Sequence, residues 1–172
     1  SRIIYNLLKQ NKIQSSLSYS KDIKDEIPSI EITQISDNDI IIDNINGFSD
    51  DVSYLRNILV NKTPQIDIKT MQKLFSLDEP FALNYLIDLA LKNNNQDLIR
   101  KKLTFFKDYL QERIQILKTI PVKNNLKNFH KAFILADYLS LQIIDKANDY
   151  LDQKISLQEF EAYYKSYHCL LY

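Results

Sequence analysis

Residues 129–151, FHKAFILADYLSLQIIDKANDYL, carry two apolar patterns in close succession. Phe129, Ala132, Phe133, Ala136 and Leu139 form the first, and Ile143, Ile144, Ala147 and Leu151 the second. Spacings of three and four stack side chains on one side of a helix, so each pattern predicts an amphipathic helix. Only Ser140-Leu141-Gln142 separates them, which predicts a tight helical hairpin. Nothing catalytic decorates it. A hairpin of that kind suits a scaffold or binding module better than an enzyme.

Downstream, Ser156 with Glu159 three residues later has the outline of a capping box and opens a last helix. Leu157, Phe160, Tyr164, Tyr167 and Leu171 follow helical spacing there, and Tyr163 widens the aromatic stripe. Two readings fit this face. It packs on the preceding hairpin, or it lines a groove for a partner, since Tyr and Phe concentrate at interface hot spots. The second reading makes Leu157, Phe160, Tyr163, Tyr164 and Tyr167 the expected partner-binding residues.

Upstream, residues 96–120 read as one long helix with Leu98, Leu103, Phe105, Phe106, Leu110, Ile114 and Leu117 apolar, broken by Pro121. Arg100-Lys101-Lys102 and Gln111-Glu112-Arg113 are its expected wet face. Asp78-Glu79-Pro80 predicts another helix start, with acids and Pro in the first turn. Its face is Phe81, Leu83, Tyr85, Leu86, Leu89 and Ala90, and Asn93-Asn94-Asn95 stops it. Ser49-Asp50-Asp51 caps a helix whose packed face is expected to be Val52, Leu55, Ile58 and Leu59. Ile66-Asp67-Ile68 reads as a short strand, after which Thr70 caps a helix bearing Met71, Leu74, Phe75 and Leu77.

Toward the N-terminus the period shortens to two. Ile30 and Ile32 alternate with Glu31 and Thr33, Ser36-Asp37-Asn38-Asp39 supplies turn chemistry, and Ile40-Ile41-Ile42 follows. The arrangement predicts a β-hairpin that must lie on helices or find a third strand. Ile3, Ile4, Leu7 and Leu8 form a short amphipathic helix before a polar stretch at 11–26. That helix is an arm docked on the main body or the tail of a preceding domain. The expected organisation is an arm and linker at 1–28 and an interaction domain at 29–172. The fold class is α+β, mostly helical with a small sheet and a C-terminal helical hairpin; an all-α domain is the alternative.

Composition narrows the function. Of 172 residues 45% are hydrophobic, enough for a core, and one glycine, Gly47, with four prolines disfavours a turn-rich β-sandwich. Twenty-two basic residues balance twenty-two acidic ones, so no net field draws the chain to nucleic acid or an anionic membrane. Cys169 stands alone, which excludes an internal disulfide and a multi-cysteine zinc site. No apolar run is long enough to span a bilayer. The N-terminal residues lack the pattern of a secretory signal, though a chain opening on Ser leaves targeting information open. The expected setting is cytoplasmic, or host cytoplasm for a secreted effector.

Reactive groups are few. His130 sits beside an apolar face, where core-edge packing is the simpler role, and adjacent His168 and Cys169 point apart on a helix. Glycine-rich phosphate loops, nucleophile elbows and zinc-helix motifs are absent. Asp37-Asn38-Asp39 with Asp43 and Asn44 lacks the glycine and terminal glutamate of a calcium loop and reads as turn chemistry. No carboxylate is expected to stand isolated among apolar residues. No cofactor or metal is expected, and the chain reads as a non-enzyme.

The order of elements resembles the BTB/POZ superfamily, and within it the F-box-binding cullin adaptors. Residues 30–43 look like their opening hairpin, with a Ser-Asp turn and a second strand ending in Asp43. Ala136-Asp137-Tyr138-Leu139-Ser140-Leu141 is similar to the family's Ala-x-Tyr-Leu-x-Ile step between helices, continued by Ile144-Asp145 and Tyr150-Leu151. Residues 155–160 fall where those adaptors carry a short cap and a Glu-rich helix that holds the F-box. The likeness spans about 29–165 and implies an adaptor linking a cullin-type ubiquitin ligase to a substrate receptor. The alternative is an all-helical interaction domain of a secreted effector or a large-complex subunit.

Overall fold

The computed structural model describes residues 34–92 and 95–171, except for the side chains of residues 169–171. The expected arm at 3–8, the linker after it and the strand at 30–33 lie outside the described residues.

The stretch quoted above forms one helix, not two. Helix α5 runs Lys127–Leu151 without a break. Leu139 and Ile143 are four apart, so the two apolar patterns are in phase, and neither Gly nor Pro interrupts them. Ser140 turns its hydroxyl back to the Ala136 carbonyl at 2.9 Å and stays within the helix. This helix is the hub of the fold: only Asn128 and Asp145 along it are exposed. The true hairpin is one step later, between α5 and α6, which spans Leu157–Leu171. Its turn places Gln153 at φ 59°, a left-handed position usually given to glycine.

Helix α4, Gln96–Lys118, packs beside α5. Asn95 caps it by accepting from the Leu98 amide at 3.2 Å, and Ile99, Leu103, Phe106, Leu110, Ile114 and Leu117 are buried. Helix α3, Leu83–Lys92, buries Leu83, Leu86, Ile87 and Ala90 against the same pair. It begins later than the Asp78-Glu79-Pro80 signal, where the Glu79 amide instead closes a turn on the Ser76 carbonyl at 3.1 Å.

The small sheet is parallel. Strand β1, Ile41–Ile42, pairs with β2, Pro121–Val122, and Phe48 bridges to Val122. The partner of Ile41–Ile42 therefore comes from the far end of α4, and residues 37–39 form a 3-10 turn. Gly47 makes this junction possible. A Cβ there would lie 2.4 Å from the Asp43 carbonyl oxygen and 2.7 Å from the Val122 carbonyl carbon.

Helix α1, Asp51–Arg56, runs into a π turn over Asn57–Asn61, closed by the Lys62 amide on the Asn57 carbonyl at 2.9 Å. Asp50 caps it through the Ser53 amide at 2.8 Å. Its inward side is Tyr54 and Ile58, while Val52 and Leu59, assigned by spacing to the packed face, are exposed. Helix α2 spans Ile68–Leu74, so the expected strand at 66–68 is absent. Asp67 decides this: it accepts from the Lys69 amide at 3.1 Å and the Thr70 hydroxyl at 2.6 Å, as a helix cap does.

Two cores meet along α5. One gathers Phe75, α3, most of α4, α6 and the face of α5 from Ala132 to Leu151; the other gathers Tyr54, Ile58, the sheet, the end of α4 at Ile114 and Leu117, and Ile134 of α5. Ile35 and Leu141 touch both.

Candidate functional site

The aromatic stripe of α6 divides between interior and surface. Phe160 is fully buried and stacks between Tyr150 at 5.5 Å and Tyr164 at 6.3 Å. Tyr167 is also buried, its hydroxyl 3.0 Å from that of Ser140. Tyr164 donates to Asn84 Oδ1 at 3.2 Å, and Lys146 lies over the Tyr163 ring at 4.6 Å. Leu157 alone among the five is exposed. The expected partner-binding face is thus corrected at its centre: Phe160 and Tyr167 hold α6 on α5. A stripe with helical period faces whichever neighbour is nearer, and here that is the chain's own hub helix.

Polar groups run through the interior instead. The Tyr54 hydroxyl and His130 Nδ1 are hydrogen-bonded at 2.5 Å inside a cage of Phe48, Phe129 and Phe133. Both residues are fully buried. Burial pushes the His130 imidazole down to about 4, with the Leu117 carbonyl pulling weakly the other way, and pushes the Tyr54 phenol well up. Among the described residues His130 Nε2 has no partner at full hydrogen-bond geometry. One side of α5 further on, Asp137 receives Arg113 Nε at 2.7 Å and a second guanidinium nitrogen at 2.5 Å. Burial raises the Asp137 carboxyl against the pull of this fork. Asp137 lies between Ala136 and Tyr138 in an apolar run, so the expectation of no isolated carboxylate is corrected.

The wet face of α4 is corrected as well. Lys102 is buried, holds both oxygens of Glu79 at 2.8 and 3.0 Å, and lies over the Phe75 ring at 5.2 Å. Arg100 reaches Asp152 at 2.5 Å. Lys127 and Lys131 both bind Asp37. These ion pairs join residues distant in sequence, and a single sequence carries no signal for them.

An open groove of about 440 Å³ lies along α4 and α5, lined by Gln111, Glu112, Ile114, Gln115, Tyr138 and Leu141. Amides and one carboxylate over an apolar floor offer binding contacts but no nucleophile–base pair. Among the described residues no cluster of three metal-binding side chains forms, and no helix is long and apolar enough to cross a membrane. The chain matches no protein-family model, no curated protein and no solved structure.

The surface that stands apart is the stretch from 51 to 77. Val52, Leu59 and Val60 are 67%, 70% and 70% exposed, and Ile68 and Leu77 are exposed too. With Tyr54 and Ile58 pointing inward, helical geometry sets Val52, Arg56, Leu59 and Val60 on the outer side. Sequence spacing assigned Val52 and Leu59 to the core because period alone does not tell which phase wins. The available signal was Tyr54: a residue able to pair its hydroxyl inside competes with valine for the inward position.

Proposed function

We propose that the chain is a non-catalytic protein-interaction module whose docking face is the outer side of α1 and its π turn. The observation that carries this reading is the exposure of Val52, Leu59 and Val60 together on one helix side. Burying such a side chain is worth roughly 1.5–3 kcal/mol, so three of them supply an anchor that folding leaves unused. The mutual pairing of Tyr54 with His130, Arg113 with Asp137 and Lys102 with Glu79 supports a structural use of the buried polar groups.

The cullin-adaptor role implied by the BTB/POZ resemblance is a narrower form of the same proposal, with an F-box-type receptor or a cullin as partner and a cytoplasmic setting. The test pairs affinity capture from cells with quantitative mass spectrometry for the wild type and for Leu59→Ser/Val60→Ser. Specific partners should vanish with the double variant while its helical content and Tm stay unchanged. Identical partner sets would contradict the proposed face. F-box proteins or cullins among the lost partners would favour the narrower role.

A further inference from the structure

Charge distinguishes the same stretch a second time. Its basic residues, Arg56, Lys62, Lys69 and Lys73, are all exposed, and among the described residues none has an ion pair within 4 Å. In the helical core, by contrast, Arg100, Lys102, Lys107, Arg113, Lys127 and Lys131 each hold a carboxylate. Of the two acids in the stretch, Asp67 is committed to capping α2, where Lys73 influences it only at a distance. Arg56 sits on the outer side of α1 between Val52 and Leu59, and Lys62 follows its end.

Resting on the docking face proposed above, we infer that the partner presents an acidic amphipathic segment: apolar side chains for Val52, Leu59 and Val60, with Asp or Glu beside them for Arg56 and Lys62. Interfaces match potential to potential, and unpaired cations beside an apolar anchor select a partner of opposite sign. An anionic bilayer shares the charge but fits less well. The exposed apolar residues are aliphatic, without the Trp and Phe of interfacial anchors, and Asp51 opens the same helix.

The experiment selects a random 16-residue peptide library against the whole chain. Recovered peptides are then titrated against wild type, Leu59→Ser/Val60→Ser, and Arg56→Glu/Lys62→Glu, each checked by circular dichroism. Expected are peptides of net negative charge with several apolar residues, bound at least tenfold more weakly by the charge-reversed chain and lost with the serine variant. Binding lost with serine but untouched by charge reversal would overturn the acidic partner and leave the docking face standing. Peptides indifferent to both variants, or no recovered peptide, would overturn both. Phosphatidylserine vesicles bound by wild type and by neither variant would replace the peptide partner with a membrane. A dimer abolished by the serine variant would replace it with a second copy.

Discussion

The α4–α5–α6 region and the 51–77 stretch use the same residue types in opposite ways. In the first, apolar positions at helical spacing are buried and most cations find carboxylates: Phe160 is sealed, and Lys102 holds Glu79 within the interior. In the second, Val52 and Leu59 have an equally good helical spacing yet face solvent, and among the described residues the cations have no carboxylate partner. The difference teaches that amphipathic period reports a preference for burial without naming the partner. A neighbour in the same chain satisfies it in α6. In α1 no neighbour among the described residues does so.

Truncation separates the regions most strongly. Phe160→Ala removes a fully buried ring and should cost about 3–5 kcal/mol by urea denaturation. A loss under 1 kcal/mol would mean that α6 is not anchored where the structure places it.

Acid should reach the interior next. His130 titrates near 4 in the fold against 6.5 for a free side chain. Between those values the unfolded chain holds a proton that the folded one does not. Its contribution is therefore complete above pH 6.5 and is lost as pH falls toward 4, by about 3 kcal/mol in all. The capping and paired carboxylates Asp37, Asp39, Asp43, Asp50 and Asp67, all lowered from 3.8, lose their contributions only below that value. Stability measured from pH 7 to 4 should fall more steeply in the wild type than in His130→Gln, with Asp137, raised by burial, acting in the opposite sense in both. Equal slopes would show that the imidazole is not sealed.

Gly47→Ala probes the junction between the regions. The added carbon collides with backbone rather than with a side chain that could swing away, so about 2–3 kcal/mol should be lost. An unchanged Tm would contradict the close approach of Gly47 to β2.

The smallest effect is the sharpest contrast. Leu59→Ser on the outer side of α1 should change stability by no more than about 0.5 kcal/mol, although sequence spacing gave it the same rank as any core leucine. A loss of core size would return Leu59 to the interior and erase the difference between the regions.

Legibility in the sequence followed the range of the interaction. The long apolar period of α4 and the start of α6 at Ser156 are local, and both were readable; the Glu159 amide binds the Ser156 hydroxyl at 3.1 Å. So was the mostly helical α+β class. The continuity of α5 was also local but was missed, because a gap of three residues was weighed above the matching phase of Leu139 and Ile143. The parallel pairing of Ile41 with Pro121, the fork from Arg113 to Asp137 and the clasp of Lys102 on Glu79 are tertiary, and no residue pattern announces them. The burial within the α6 stripe was hidden for a related reason. The spacing of Leu157, Phe160, Tyr164 and Tyr167 left packing and partner binding both open, and that of Val52 and Leu59 pointed to the core, whereas the fold stacks Phe160 and Tyr167 inside and leaves Leu59 and Val60 out.

Site-specific photo-cross-linking compares the two surfaces within one experiment. A photoreactive residue placed at 59 and, in a second chain, at 163 on α6 is irradiated in cells, and the adducts are identified by mass. The account predicts a discrete protein adduct from position 59 and none from position 163. An adduct from position 163 alone would contradict it and return the docking face to the last helix.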